Sequence, residues 1–291
     1  MAYDKVLVTG GSGLLGTYVV ADLLANGHGV TVLDKKPPAP GVPYIAADIM
    51  DLPAVEAAVA KHEAVVHLAG IDLAIAATGE DFMRVNTMGT WHVLQAAEKA
   101  GLNKVVACSS VAATGLGEMR ADFPPRYLPV DEAHPSRPVH PYSVSKHVVE
   151  EIAQSFARRG TLEVICLRPV LVLFPPLIDM VVRRERSGFR WIYYYVTPED
   201  TARAFRLALE VTGVPFERLF VTATDNASEY STLEMVRRNR VTPFPELRAP
   251  ALYAKNPRAS VFDPERAKRV IGFETATDWL KISAAARAKK G

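Results

Sequence analysis

The chain has 291 residues, of which 49% are hydrophobic, and it carries a formal net charge of +2. This length can bury a substantial core, either as one large α/β domain or as a domain with a small lobe. The near-neutral charge gives no argument for a nucleic-acid partner or a membrane surface, and we expect neither.

A glycine-rich turn directly follows the first predicted strand. Residues 6–8 are apolar and β-branched, which indicates a buried parallel strand, and residues 17–24 are predicted to form a helix. The glycines between them stand at 10, 11, 13 and 16. At this spacing the backbone N–H groups and the helix N-terminus can bind a pyrophosphate, because no Cβ blocks the tight turn. The stretch therefore predicts dinucleotide binding.

An acidic residue ends the second predicted strand, over residues 30–33. Asp34 follows Gly16 at about the spacing at which an acid meets the adenosine ribose. A carboxylate there accepts hydrogen bonds from both ribose hydroxyls and repels a 2′-phosphate, which favours NAD over NADP. Lys35 and Lys36 leave a phosphate partner open, and a solvated turn residue is the alternative interpretation of Asp34.

Strands and helices then alternate along the chain, which is typical of right-handed crossovers in a parallel sheet. We predict strands over residues 44–47, 64–68 and 104–108, helices over 52–61, 81–100 and 141–159, and a loop over 111–138. The fold class expected is α/β, a Rossmann-type doubly wound parallel sheet with a small C-terminal substrate lobe. His67 has no second His or Cys at ligand spacing, so no metal site is expected.

Three polar side chains in this frame are candidates for chemistry. Ser110 follows the fifth strand, at the sheet edge where active sites collect in this fold class. Tyr142 and Lys146 are four residues apart and therefore share one face of a helix. A nearby ammonium group is expected to lower the pKa of the tyrosine from its usual value of about 10. Together the three predict proton transfer at a hydroxyl group.

These motifs resemble the extended short-chain dehydrogenase/reductases, the NAD-dependent epimerase/dehydratase family. The matching segments are the cofactor turn with Gly10, Gly13, Leu14, Leu15 and Gly16, the adenine-contacting pair Asp48 and Ile49, the fourth-strand motif ending in Leu68, Ala69 and Gly70, the helix signature Asn86-x-x-Gly89-Thr90, and Arg168-Pro169.

The resemblance implies a role for each catalytic candidate. Tyr142 takes the substrate's hydroxyl proton, Lys146 holds the nicotinamide ribose, and Ser110 hydrogen-bonds the reacting oxygen. Asn86 supports its helix and a proton relay. NAD is the cofactor that the resemblance implies.

The chain also departs from nucleotide-sugar members of that family. Leu171 stands where they carry an asparagine, Thr114 stands where they often carry a tyrosine, and residues 174–197 are short for a substrate lobe. We therefore expect an NAD-dependent oxidoreductase that oxidises a secondary alcohol or hemiacetal of a small polar substrate: a sugar, a sugar acid or a hydroxy acid. Arg168, or an arginine within residues 183–190, would meet its carboxylate.

Two other functions remain open. The alternative enzyme is a nucleotide-sugar epimerase or dehydratase that retains its NAD, and a non-catalytic NAD(P) sensor is the third possibility. The predicted division is a dinucleotide-binding Rossmann domain over 1–170 and a substrate lobe over 171–291, with residues 198–222 returning to the sheet.

Assembly and location are the remaining expectations. A homodimer is expected through the helices at 81–100 and 142–159, as the family resemblance implies, with Val93, Leu94 and Val148 among the apolar residues in apparent excess. Cys108 and Cys166 fall inside predicted strands and no signal peptide is evident, which predicts a cytoplasmic protein.

Overall fold

A seven-stranded sheet forms the centre of the molecule, with the strand order β3-β2-β1-β4-β5-β7-β8. The computed structural model describes residues 3–118, 120–185, 194–239, 241–276 and 278–288. The strands of this sheet are β1 (Val6–Thr9), β2 (Val30–Asp34), β3 (Tyr44–Ala46), β4 (Ala64–His67), β5 (Lys104–Cys108), β7 (Glu163–Pro169) and β8 (Phe216–Val221). Every neighbouring pair is parallel, which confirms the predicted Rossmann-type fold.

Helices connect the strands and cover both faces of the sheet. They are α1 (Leu14–Ala25), α2 (Leu52–Val59), α3 (Gly79–Asp81), α4 (Gly89–Lys99), α5 (Pro141–Ala157), α6 (Pro175–Glu185), α7 (Pro198–Glu210), α8 (Thr232–Arg238), α9 (Pro250–Lys255), α10 (Glu265–Ile271) and α11 (Trp279–Ala288). The strand order reverses between β1 and β4, and ligands bind at such a switch point in open α/β sheets.

The central strands are apolar on both faces because each face packs on helices. Val8 lies in one core with Leu23 of α1 and Phe205 of α7. Leu7, one residue earlier, belongs to the other core, which includes Phe156 of α5. This alternation follows from the two-residue period of a strand, and burial on both sides explains the continuous apolar run in the sequence.

Two predicted elements differ from the observed ones. Helix α1 begins at Leu14, three residues before the predicted start, because it follows the glycine turn with Gly13 as its N-cap. The predicted helix over 81–100 is interrupted by a π-helical segment, Phe82–Met88, between α3 and α4. Such segments are rare and often occur at functional sites.

The predicted loop over 111–138 contains regular structure as well. It holds two short 3₁₀ turns, Val111–Thr114 and Leu116–Glu118, and a short strand, β6 (Tyr127–Leu128). Strand β6 pairs in parallel with β9 (Glu246–Leu247), so a distant part of the chain supports this segment.

The chain after residue 170 both returns to the sheet and builds a separate core. Helix α7 packs against the same core as α1, and β8 pairs with β7 at the sheet edge. A third core, centred on Tyr195 and Trp279, lies among α6, α8 and α11. The division into two domains at residue 170 stays a prediction.

The sequence led us to expect neither a membrane partner nor a metal site. No described helix is long and apolar enough to span a lipid bilayer. The same part of the chain contains no group of three or more His, Cys, Asp or Glu side chains that could hold a metal ion.

Candidate active site

The glycine turn after β1 is a cradle that side chains would fill. Gly10 has a φ of +74°, and a Cβ there would lie 2.5 Å from the Ala69 nitrogen. A Cβ on Gly16 would lie 2.2 Å from the Gly10 carbonyl oxygen. Gly13 precedes α1, and no described side chain caps the first N–H groups of this helix. The turn therefore offers backbone donors at a positive helix end, which fits a pyrophosphate.

Asp34 lies at the rim of this cradle. Its carboxylate accepts hydrogen bonds from the Ser12 N–H at 3.1 Å and from the Lys36 N–H at 3.2 Å. The ammonium of Lys35 instead pairs with Asp48 at 3.5 Å. The Asp34 carboxylate thus faces the glycine turn, as a partner of ribose hydroxyls must. Lys35, the neighbouring cation, is paired with Asp48 instead of Asp34.

Ile49 and the helix signature pack on each other. A Cβ on Gly89 would lie 2.3 Å from Ile49 Cδ1, so a larger residue there would displace the Ile49 side chain. The His92 Nδ1 is 2.9 Å from the Ile49 carbonyl oxygen. The pair Asp48 and Ile49 is thereby fixed against the start of α4, and this accounts for the glycine of the signature.

Asn86, in the π-helical segment, clamps the loop that follows β4. Its Oδ1 accepts from the Ile71 N–H at 2.7 Å, and its Nδ2 donates to the Ile71 carbonyl at 3.2 Å. The same Nδ2 donates to Ser145 Oγ on α5 at 2.9 Å. Asn86 therefore joins the β4 loop to the helix that carries Tyr142 and Lys146.

His67 is a buried packing residue at the end of β4. Its Nδ1 is 2.7 Å from Thr9 Oγ1, and its Nε2 is 3.0 Å from Thr90 Oγ1. Burial, with the charge of Lys146 as a smaller cause, lowers the pKa of His67 to about 3. The imidazole is therefore neutral and ties β1, β4 and α4 together.

Tyr142 and Lys146 lie together at the carboxyl edge of the sheet, as predicted, but the pKa of the tyrosine is not lowered. Burial is the largest influence on Tyr142 and raises its pKa above the usual value, while a hydrogen bond with the Ser110 side chain lowers it. The Lys146 ammonium is directed to the Cys108 carbonyl, at 2.8 Å. The expectation of a lowered pKa is corrected here, because burial of the phenol and the negative charge of Asp72 both raise its pKa and together outweigh the Ser110 side chain.

Arg168 is not placed to bind a substrate. It is 1% exposed, and its Nε and Nη2 donate to the two Glu150 carboxylate oxygens at 2.7 and 2.6 Å. Its Nη1 is buried with no hydrogen-bond partner among the described residues. This corrects the expectation that Arg168 meets a substrate carboxylate, because a buried guanidinium already paired with Glu150 does not reach a ligand.

The expected substrate side of the site includes Leu171, Thr114 and Arg183. Leu171 follows β7 and is 40% exposed. It therefore presents an apolar surface at the position where nucleotide-sugar members of the family carry an asparagine. Thr114 is buried and hydrogen-bonds within its own 3₁₀ turn, donating to the Val111 carbonyl at 2.7 Å. Arg183 is exposed on α6, whereas Arg186 and Arg190 lie outside the described residues.

One residue of the site was missed in the sequence. Asp72 follows β4 by a few residues and is exposed. Burial is the largest cause that raises the pKa of both Tyr142 and Cys108, and the negative charge of Asp72 raises both pKa values further. An acid soon after a strand end was the available signal, but the sequence gives no measure of how closely that loop approaches α5.

Comparison with known proteins places these features in a family. The model of the NAD dependent epimerase/dehydratase family matches residues 6–176. A UDP-glucose 4-epimerase of Rhizobium leguminosarum bv. trifolii is 31% identical over 178 residues, which are 58% of this chain and 52% of that protein. A UDP-glucose 4-epimerase of Corynebacterium glutamicum is 26% identical over 311 residues, covering 92% of this chain and 90% of the relative. The chain thus matches about half the length of the first relative.

Solved structures share the fold along nearly the whole chain. MoeE5 in complex with UDP-glucuronic acid and NAD has a TM-score of 0.73 at 22% identity, covering 98% of this chain and 99% of that one. A UDP-glucose 4-epimerase from Thermotoga maritima with UDP-glucose has a TM-score of 0.72 at 24% identity, with 98% and 99% covered. At these identities the likeness establishes the fold.

Proposed function

Because the chain belongs to the NAD-dependent epimerase/dehydratase family of short-chain dehydrogenase/reductases and uses NAD as its cofactor, we propose that it epimerises a nucleotide sugar such as a UDP-hexose. Curated relatives that act as UDP-glucose 4-epimerases support this over net oxidation of a free small substrate. The sequence favoured the second activity through Leu171, Thr114 and the short stretch over residues 174–197. The burial of Arg168 removes one of the arginines expected to meet the carboxylate of a small substrate.

One observation carries the proposal: a serine, a tyrosine and a lysine converge at the carboxyl edge of the sheet. Burial raises the pKa of Tyr142 and the nearby Ser110 side chain lowers it, while Lys146 Nζ donates to the Cys108 carbonyl at the end of β5, at 2.8 Å. This arrangement brings a phenol, a hydroxyl and an ammonium group to one edge of the sheet, and removing a proton from a sugar hydroxyl requires groups positioned in this way. A sensor of NAD(P) has no need of it.

In the proposed reaction, the positive charges of Lys146 and of the nicotinamide ring of bound NAD would offset the raised pKa of Tyr142 by stabilising its phenolate. Tyr142 then accepts the proton of the substrate hydroxyl and returns it after the configuration has changed. Ser110 donates a hydrogen bond to the reacting oxygen, and Lys146 holds the nicotinamide ribose. NAD, when bound, would supply the acceptor for the hydride of the carbon that bears this hydroxyl, and inversion requires the hydride to return to the opposite face. Asn86 keeps the β4 loop and α5 in register through Ile71 and Ser145.

The cofactor-binding residues are proposed from the cradle and its neighbours. The backbone of the turn and the first turn of α1 would hold the pyrophosphate, and Asp34 the adenosine ribose. The full proposed set is Gly10, Gly13, Leu14, Leu15, Gly16, Asp34, Asp48, Ile49, Leu68, Ala69, Gly70, Tyr142 and Lys146.

The test is an epimerisation assay without added cofactor. Protein purified with its retained NAD is incubated with UDP-glucose and, separately, with UDP-galactose, and the products are separated by chromatography. We expect both sugars to approach one equilibrium mixture with no net accumulation of NADH. NADH that accumulates with a free sugar, sugar acid or hydroxy acid, together with no epimerisation, would instead establish the dehydrogenase.

A further inference from the structure

One carboxylate ties together the two segments that adjoin the proposed catalytic groups. The first segment, residues 111–118, follows Ser110 just after the end of β5. The second segment, residues 137–140, leads into α5, in which Tyr142 is the second residue. Glu118 ends the first segment, and its side chain is only 11% exposed.

The Glu118 carboxylate accepts hydrogen bonds from two consecutive peptide N–H groups just before α5. Its Oε1 is 2.8 Å from the Val139 nitrogen and 2.8 Å from the His140 nitrogen. Its Oε2 is 3.1 Å from the Val139 nitrogen as well. An acid in this place also lies near the positive end of the α5 dipole. The carboxylate therefore anchors the chain at the point where this helix begins.

His140 connects this anchor to Tyr142. It is the N-cap residue of α5, and its Nδ1 accepts a hydrogen bond from the Tyr142 N–H at 3.2 Å. The centre of its ring lies 6.0 Å from that of Phe82, and the Phe82 ring lies 5.6 Å from the ring of Tyr142. A displacement of His140 therefore reaches both the backbone and the ring of the tyrosine.

Further contacts hold the two segments against each other. The Arg137 N–H donates to the Thr114 carbonyl at 2.9 Å, and Arg120 Nη1 donates to the Arg137 carbonyl at 3.1 Å. Gly115 has a φ of +79°, and a Cβ there would lie 2.5 Å from the Arg137 carbonyl oxygen. The carboxylate of Glu118 thus bridges a junction that is closely packed.

We propose that Glu118 is a further positioning residue, which holds the start of α5, and with it Tyr142, in register with the turn that carries Ser110. Proton transfer requires its donor and acceptor atoms to lie about 2.6–3.2 Å apart. A misplacement of about 1 Å can cost about a hundredfold in rate. The inference rests on the proposed function, because it takes Ser110 and Tyr142 as the groups that meet the substrate hydroxyl.

The test compares three variants with the wild type. Glu118→Ala removes both acceptor oxygens. Glu118→Gln keeps an amide oxygen that can accept from the two peptide N–H groups, and it serves as the conservative variant. Glu246→Ala removes an acid that is 67% exposed in a surface ion pair, and it serves as the control.

Two quantities are measured on each NAD-loaded protein. The first is the turnover of UDP-glucose, from which kcat and KM are obtained. Turnover is expressed per bound NAD, so a loss of folded protein does not count as a loss of kcat. The second is hydrogen exchange of the amides over residues 137–146, followed by mass spectrometry.

For Glu118→Ala we expect kcat to fall about tenfold or more, while KM changes less than about threefold, because the reacting groups are displaced and the rest of the site is unchanged. Exchange at Val139 and His140 should become about tenfold faster or more, since both amides lose their acceptor. Glu118→Gln should recover most of the kcat, and Glu246→Ala should match the wild type in both measurements.

The outcomes separate this inference from the proposed function. If the wild type epimerises UDP-glucose and Glu118→Ala keeps a kcat within about twofold of it, the positioning role is refuted and the proposed function stands. A large rise in KM with an unchanged kcat would also overturn the role. If the wild type converts neither UDP-glucose nor UDP-galactose, the proposed function fails and takes this inference with it.

Discussion

At the scale of single residues, the burial of Tyr142 decides what it can do. The tyrosine is buried at the start of α5, one helical turn before Lys146. Replacing Tyr142 with Phe removes the hydroxyl and leaves the packed ring, including its contact with Phe82. We expect turnover to fall by about two to four decades, the usual contribution of a proton-transfer group.

The measurement pairs turnover with cofactor content. Tyr142→Phe should purify with NAD and unfold at the wild-type temperature, because its ring still fills the site. Tyr230→Phe, a change at an exposed tyrosine, serves as the control and should keep full activity. Activity of Tyr142→Phe close to that of wild type would exclude the proposed mechanism.

Cofactor preference is a second property that one residue should govern. Asp34→Ala removes an acceptor for the ribose hydroxyls and a charge that repels a 2′-phosphate. Each hydrogen bond to a charged group is worth about 1.5–3 kcal/mol, so the variant should bind NAD markedly more weakly than wild type does. The difference in affinity between NAD and NADP should therefore become smaller. Titration of both cofactors into wild type and variant checks this, and a wild-type preference for NADP would contradict it.

Glu132 makes the stability of the protein depend on pH. Burial raises the pKa of Glu132 to about 7 from 4.5, although it accepts a hydrogen bond from the Phe220 N–H at 2.9 Å. The folded state therefore binds this proton more tightly than the unfolded state. Its stabilising contribution is fully present below pH 4.5 and is lost as pH rises through 7, by up to about 3 kcal/mol.

Urea unfolding at a series of pH values measures this effect. Gln at position 132 keeps the acceptor and cannot ionise, so the wild type should lose stability relative to Glu132→Gln between pH 5 and about 8. His67 acts in the opposite sense, since its lowered pKa favours folding as pH rises. His67 is present in both proteins, so the difference between their free energies of unfolding isolates the contribution of Glu132. Parallel curves would refute the assignment.

At the scale of elements, a buried ion pair joins α5 to two strands. Glu150 of α5 accepts from Arg168 of β7 and from Ser109 Oγ at the end of β5, the last at 2.5 Å. Both charged side chains are almost fully buried. The residue next to Ser110 and the helix of Tyr142 are thereby fixed to each other.

Removing one member of this pair should be costly. Glu150→Ala leaves the Arg168 guanidinium buried without its carboxylate, and breaking a buried pair in this way costs about 3–5 kcal/mol. Glu151→Ala removes the neighbouring acid, which is about half exposed and pairs with Arg218, and should cost less than about 1 kcal/mol. Denaturant unfolding measures the loss of stability in each variant. Equal losses would show that the buried ion pair stabilises the protein no more than the exposed one does.

At the scale of the whole molecule, the expected homodimer rests on α4 and α5. The apolar residues Val93, Leu94, Ala96 and Ala97 are all buried within the chain, so they do not form a surplus for a partner. Val148 and Ile152 on α5 are only half-buried and remain available. The predicted dimer therefore depends on Val148 and Ile152. A two-fold dimer is the commonest closed assembly of identical chains.

Light scattering at micromolar concentration tests the assembly. We expect a dimer for wild type and a monomer for Ile152→Glu, because a charge in the centre of an apolar interface is not solvated. Glu98→Gln, a change at a half-buried acid near the end of α4, should leave the dimer intact. A monomeric wild type would exclude the dimer.

The sequence by itself determined those features that depend on residues close together in the chain. The strand, glycine turn and helix at the cofactor cradle follow from local sterics. Tyr142 and Lys146 share a face because a helix turns every 3.6 residues. The parallel order of the strands also followed, since alternating strands and helices allow few topologies.

Only the tertiary structure decided what depends on distant parts of the chain meeting. Arg168 looked available to a substrate until the fold brought Glu150 against it. The Tyr142 pKa is raised rather than lowered because burial, which no local pattern measures, outweighs the lowering influence of the Ser110 side chain. The loop after β4 lies beside α5 because Asn86 bonds both to Ile71 of this loop and to Ser145 of the helix. Burial and long-range charge are properties of the packed molecule, and spacing along the chain does not encode them.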